Sequence, residues 1–157
     1  MSIAFVYPGQ GAQTIGMGRD LADAYPAAKA VFDEVDEALG EKLSTLIWEG
    51  EAEALTLTQN AQPALMATSM AAMAALNAEG ITVEKAAFVA GHSLGEYAAL
   101  CAAGTFLVEA KYWERLKLGD ATVDSPEALF GFQCATCIAG ADCRSSGQMR
   151  GRLQVRS

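Results

Sequence analysis

The stretch Gly91-His92-Ser93-Leu94-Gly95-Glu96-Tyr97 fits the pattern Gly-x-Ser-x-Gly. A serine hydroxyl in that pattern is suited to nucleophilic attack on an acyl carbon, through a covalent ester. An apolar run directly ahead (residues 86–90) and a helix-like run directly after (residues 94–103) place Ser93 on a sharp strand-to-helix turn. Gly91 and Gly95 leave room for that turn and for close packing of the helix on the strand. The hydroxyl then stands at the C-terminal edge of a sheet, where open α/β sheets place their ligands. The alternative is an ordinary glycine-bordered helix start with Ser93 as its cap.

Attack by serine generates an oxyanion, which needs hydrogen-bond donors. Leu94 opens the helix, so its backbone N–H has no intrahelical acceptor and sits at the positive end of the helix dipole. A second donor is expected from Pro8-Gly9-Gln10-Gly11-Ala12-Gln13, a glycine-rich loop that follows another apolar run. If the two runs are neighbouring strands, the backbone of Gln10 comes close to Ser93. The cysteines suggest less. Cys134 and Cys137 form a Cys-x-x-Cys pair with Cys143 nearby, but a closed zinc site takes about four ligands. That tail adds only Asp142 and no histidine. No metal site is expected, and Cys101 reads as core.

Several elements must position these groups. Ile3 to Tyr7 is a short apolar run with β-branched and aromatic members, the pattern of a strand buried on both faces. Leu21, Tyr25, Ala28, Phe32, Val35 and Leu39 recur at helical spacing, with Pro26 dividing a short turn from a main helix and Gly40 stopping it. Residues 43–48 suggest another helical turn. Asn60 is the expected cap of a longer helix, with Pro63 in its first turn, a stripe through Met66, Ser69, Met70 and Met73, and Gly80 at its close. Strands alternating with helices imply an α/β fold: a partial parallel sheet with flanking helices and a strand–nucleophile elbow–helix unit.

At 157 residues, 52% hydrophobic and 19% charged, the chain reads as globular. A net charge of -8 argues against a nucleic-acid partner. The most apolar stretch, residues 61–76, includes Gln62 and many alanines, so it reads as a core helix and no membrane span is expected. The start, Met1-Ser2-Ile3-Ala4-Phe5-Val6-Tyr7, lacks the charged n-region of a signal peptide, which leads us to expect a cytoplasmic chain with reduced thiols. Charge balance changes along the chain: residues 1–110 carry 4 Lys/Arg against 14 Asp/Glu, and residues 111–157 carry 7 against 5. Residues 111–118 suggest a further helix, and residues 119–157 a poorly ordered tail.

Pro8-Gly9-Gln10-Gly11-Ala12-Gln13, Gln62-Pro63-Ala64-Leu65 and the Ser93 stretch, in that order, resemble malonyl-CoA:acyl carrier protein transacylases and the acyltransferase domains of fatty acid and polyketide synthases. The resemblance implies that residues 1–110 are the N-terminal part of the large subdomain of the acyltransferase fold. It implies transfer of a malonyl group from coenzyme A to acyl carrier protein, in fatty acid biosynthesis, with Ser93 as nucleophile. Gln10 and Leu94 would form the oxyanion hole, Gln62 would line the acyl pocket, and His92, Gly91 and Gly95 would support the elbow. No cofactor is implied beyond the coenzyme A thioester, which is the substrate.

The sequence departs from the family pattern in three ways. The family's base is a histidine far downstream of the serine, whereas the one histidine here is His92. The family's carboxylate-binding Arg-Gly pair is not matched, because Leu118 runs into Gly119, with Arg115 and Lys117 nearby. The family chain is about twice as long, as two-domain chains tend to be, and residues 119–157 do not resemble it. These departures give the expectation of a truncated or frame-shifted chain with impaired transfer. Two alternatives stand beside it: a serine hydrolase or thioesterase, and a non-catalytic fragment that binds acyl carrier protein.

Overall fold

A computed structural model describes residues 3–104 of the chain. Strand β1 (Ile3–Tyr7) leads through a long loop to helices α1 (Arg19–Ala24), α2 (Pro26–Leu39), α3 (Leu43–Glu49), α4 (Ala52–Thr56) and α5 (Thr58–Ala78). A single 3-10 turn (Val83–Lys85) then enters strand β2 (Ala86–Gly91), and helix α6 (Leu94–Ala102) follows. The strands pair in parallel, as the alternation of strands and helices predicts, with Phe5 opposite Val89 and Tyr7 opposite Gly91. The register slips between Ile3 and Ala4, which leaves Ala87 without a partner on β1.

The centre of the molecule is α5, which packs against α1, α2, α3, α4 and α6. Its buried residues lie almost all round it, from Ala61 through Met66 and Ser69 to Ala75, which explains its high alanine content: small side chains let several helices approach one rod. Phe32 of α2 and Trp48 of α3 meet edge to face at 5.1 Å between ring centroids. Asp36, buried near the end of α2, ties α2 to α3. Its carboxylate accepts the Ser44 backbone N–H at 2.9 Å and the Ser44 hydroxyl at 2.6 Å, and Lys42 Nζ lies 3.4 Å away. A helix start is thus capped by an acid from the preceding helix.

Two sequence expectations need correction, and one element lay outside them. β1 is not buried on both faces: Phe5, Tyr7 and Val89 face the helices, whereas Val6 is 74% exposed and Phe88 49% exposed. An uninterrupted apolar run cannot say which face is covered, because that depends on neighbours elsewhere in the chain. Asn60 does not cap α5. The helix begins at Thr58 behind Leu57, whose carbonyl accepts from both Asn60 and Ala61, and Asn60 Nδ2 reaches back to the Ala54 carbonyl at 2.9 Å. The short helix α4 was not foreseen, since five residues carry too little periodicity to show one. The Pro26 division and the Gly40 stop stand as expected, with Gly40 at φ 63°. The expected helix over 111–118 and the tail over 119–157 lie outside the described residues.

Candidate active site

β2 ends at Gly91, and α6 begins only three residues later, at Leu94. Ser93 absorbs the reversal with φ 53° and ψ -116°; it is the one non-glycine at positive φ among the described residues. An L-residue there is strained by roughly 1–3 kcal/mol, which the surrounding packing must offset. The glycines show how tight that packing is. A Cβ on Gly91 would run into the Gly95 carbonyl, and one on Gly95 would run into the Tyr7 carbonyl. Both glycines therefore let α6 fold back directly over the ends of β1 and β2, as the motif suggests.

Ser93 holds the N-cap position, yet its side chain makes no cap hydrogen bond. The reading of Ser93 as a simple helix cap therefore fails, and its exposed hydroxyl is left for chemistry. In the first turn of α6, Gly95 N–H donates to the His92 carbonyl at 2.9 Å and Glu96 N–H to the Ser93 carbonyl at 3.0 Å. Leu94 N–H donates to no backbone carbonyl among the described residues. It is therefore the donor of this turn that remains open to an anion.

The parallel pairing brings the Gln10 loop to the elbow, as expected. Tyr7 lies opposite Gly91, and His92 N–H extends the ladder to the Tyr7 carbonyl at 3.4 Å. Beyond Tyr7 the loop crosses His92 so closely that a Cβ on Gly9 would sit 2.6 Å from the His92 carbonyl oxygen and 3.0 Å from its Nδ1. Glycine at position 9 is thus a requirement of close approach. The imidazole of His92 lies against this loop at Gly9. The loop is held from its other side by Gln10 Nε2, which donates to Thr58 Oγ1 of α5 at 3.2 Å, and by Gly11 N–H, which donates to Gln13 Oε1 at 2.8 Å. Gln10 N–H, like that of Leu94, donates to no backbone carbonyl among the described residues.

Gln62 lies one turn beyond Thr58, on the same face of α5. Its Oε1 is buried without a hydrogen-bond partner among the described residues. Three acidic side chains feel the local burial. Desolvation raises the Glu96 carboxyl above its ordinary value, while the Ser93 N–H and the His92 imidazole pull it back. Desolvation also raises the Tyr97 phenol, with the Glu96 charge adding to it, and the Tyr7 phenol, with the Cys101 thiol adding to it. Sequence reasoning missed two members of this site. Thr58 carries no motif. Glu96 does carry a signal, the Ser-x-x-Glu spacing of a capping box from Ser93.

The acyl transferase domain family matches residues 4–111, more than two thirds of the chain. The chain belongs to this family. It is 47% identical over 151 residues to the malonyl CoA-acyl carrier protein transacylase of Bacillus subtilis strain 168, covering 96% of this chain and 46% of that protein. That match therefore runs past Gly119, into the segment that by its sequence had not resembled the family. The crystal structure of the acyl-carrier-protein-S-malonyltransferase of Bartonella henselae superposes with a TM-score of 0.70 at 56% identity, over 75% of this chain and 38% of that one. A structure of a type II polyketide acyl carrier protein in complex with its malonyl-transacylase superposes at 0.67 and 38% identity, over 75% and 37%. The chain spans less than half the length of these relatives. Among the described residues no helix is long and apolar enough to cross a membrane, and no cluster of His, Cys, Asp and Glu could hold a metal ion. Cys134, Cys137 and Cys143 lie outside the described residues, as do Arg115 and Lys117.

Proposed function

We propose that this chain is the nucleophile-bearing part of an acyltransferase that moves a malonyl group from coenzyme A to acyl carrier protein through an ester on Ser93. The observation that carries the reading is the conformation of Ser93: strained, exposed, and with its hydroxyl withheld from helix capping. Family membership and the malonyl transacylases among the relatives support the acyl group and the carrier. Residues 1–110 are read as the N-terminal part of the large subdomain, and the cytoplasm as the setting. No resident cofactor is needed, because serine supplies the covalent step.

In the first half-reaction Ser93 Oγ attacks the thioester carbonyl of malonyl-CoA. The Oγ–C bond forms, the C–S bond breaks, and the hydroxyl proton ends on the coenzyme A thiol. The Leu94 and Gln10 N–H groups donate to the oxyanion between these events, and such a donor is worth about 3 kcal/mol. Gln62 is read as lining the acyl pocket. In the second half-reaction the carrier's thiol attacks the ester and Oγ regains a proton. Both partners are thioesters, so the ester lies between states of similar energy. The proton acceptor is not assigned to His92, whose imidazole packs on Gly9.

Incubation with malonyl-CoA followed by peptide mass spectrometry tests this reading. A malonyl ester on Ser93 that is absent from Ser93→Ala and is discharged by acyl carrier protein is the expected result. An adduct elsewhere, no adduct after prolonged incubation, or rapid release of free malonate without a carrier would overturn it, the last in favour of a hydrolase.

A further inference from the structure

We propose that Gln13 and Thr58 are positioning residues for acyl transfer: they lock the turn that carries Gln10, so that its backbone N–H is the donor left open beside the elbow. The proposal rests on the acyl-transfer reading for its kinetic consequence and on geometry for the rest. The loop after β1 contains a turn closed by the Ala12 N–H, which donates to the Gly9 carbonyl at 3.3 Å. Gln10 and Gly11 are its central residues. Gly11 stands at φ 106° while Gln10 is not at positive φ, the pattern of a type II turn. Such a turn is closed by one bond from its last residue, so the N–H groups of both central residues lie outside it. Gln13 takes one of them: the Gly11 N–H donates to Gln13 Oε1 at 2.8 Å. The Gln10 N–H, which donates to no backbone carbonyl among the described residues, is the one that remains.

The turn needs a lock because glycine flanks Gln10 on both sides. Gly9 is required by its approach to the His92 carbonyl and Gly11 by its φ, and neither restrains the backbone. The same four residues could form a type I turn, with the peptide between Gln10 and Gly11 rotated, and glycine accepts either form. Rotation would point the Gly11 N–H away from Gln13, so the Gln13 bond selects the observed form. Nothing in that local bond ties the turn to the rest of the molecule. The Gln10 side chain does so: its Nε2 donates to Thr58 Oγ1 at 3.2 Å, across 48 positions of the chain. Thr58 is the first residue of α5, the rod against which five other helices pack. The turn is therefore anchored to the molecule's central element on one side and pressed against the elbow at His92 on the other. A donor held in this way needs no reorganisation when an oxyanion forms.

The test pairs variants that remove each acceptor with variants that keep it: Gln13→Leu against Gln13→Glu, and Thr58→Val against Thr58→Ser. Thr58 is exposed and Gln13 half-buried, so these changes leave the core untouched. Amide hydrogen exchange at Gly11, read by NMR on the whole chain, needs no substrate. It is expected to be about fivefold faster in Q13L and in T58V than in the parent, the factor that corresponds to one net hydrogen bond. Q13E and T58S are expected to stay within about twofold. With malonyl-CoA, the saturating rate of Ser93 acylation is expected to fall about tenfold in Q13L and T58V and to recover in Q13E and T58S, while the half-saturating concentration stays within about twofold. That split is specific to a donor acting on the oxyanion, since a merely loosened site would bind substrate less well too. Unchanged Gly11 exchange in Q13L, T58S as impaired as T58V, or a loss confined to the half-saturating concentration overturns the proposal. If the exchange pattern holds while the parent itself is not acylated, the malonyl reading fails alone and the lock on the turn stands.

Discussion

Replacing Gly95 with alanine tests whether α6 is pressed against the end of β1 as closely as the elbow requires. The added methyl would meet three backbone atoms: the Tyr7 carbonyl oxygen, the Tyr7 carbonyl carbon at 2.8 Å and the Pro8 carbonyl oxygen at 2.9 Å. None is the tip of a flexible side chain. The Tyr7 carbonyl is moreover held by the His92 N–H and by pairing with Gly91. Relief requires α6 to retreat by roughly 1 Å, to ordinary van der Waals separation. Overpacking of this kind costs about 1–3 kcal/mol, and the rigid neighbours favour the upper end. Alanine in place of glycine returns about 1 kcal/mol of helix propensity. The net loss is about 2 kcal/mol, which for a small domain in urea lowers the midpoint by about 1 M. A 1 Å displacement of the nucleophile should also slow acylation of Ser93 about a hundredfold. Urea titration followed by circular dichroism gives the first quantity, and mass spectrometry of the acyl-enzyme the second. The reasoning is refuted if G95A keeps its midpoint within about 0.2 M and acylates within about threefold of the parent. Gly40→Ala is the control. Gly40 has positive φ with nothing near its Cβ site, so it should lose about 1–2 kcal/mol without changing the chemistry of Ser93.

Ser93→Gly should abolish acylation yet be more stable than Ser93→Ala by about 1 kcal/mol, because glycine relieves the positive φ and alanine does not; matched urea titrations read the difference. Asp36→Ala should cost about 2–4 kcal/mol, from a lost helix cap and a buried serine left without its acceptor. Asp36→Asn should cost less, since its amide oxygen still takes the Ser44 N–H, and thermal unfolding ranks the pair. The Tyr7 phenol is raised above its ordinary value of 10.0 by burial. The folded state therefore holds its proton more tightly than the unfolded state, and stability is lost as pH rises above about 10. Tyr7→Phe should remove that component of the alkaline loss. At neutral pH it should cost nothing, because the Tyr7 hydroxyl is buried without a partner among the described residues. Urea midpoints measured at neutral and alkaline pH test both statements.

The elements nearest the chemistry were the most legible in the sequence. A strand into Gly91, a helix from Leu94 and glycines flanking Ser93 are local requirements, met by residues adjacent in the chain. Pro26 and Gly40 were legible for the same reason, since each fixes or permits its own φ. Where the start of a helix depended on distant packing, local signals misled. Asn60 has the chemistry of a cap, but Leu57 and the Ala54 carbonyl claim it for a different turn. Gln62 shows the same limit: its type and place in a motif were visible, while the burial of its oxygen was not.

The sequence by itself determined that Ser93 lies on a strand-to-helix turn, that a glycine-rich loop could approach it, and which family pattern these residues follow. Such properties follow from residue type and short-range spacing, where φ preferences and the lack of a Cβ act directly. Only the tertiary structure decided that β1 and β2 are neighbours in register, so that Gly9 meets His92, Gln10 reaches Thr58, and Gly95 seats on Tyr7. It also decided that the Ser93 hydroxyl makes no cap bond to α6, because Ser93 turns at positive φ where Gly9 meets His92 and Gly95 meets Tyr7, contacts between segments far apart in the chain. Long-range pairing carries no local signature, since either strand could face or flank another partner with the same composition.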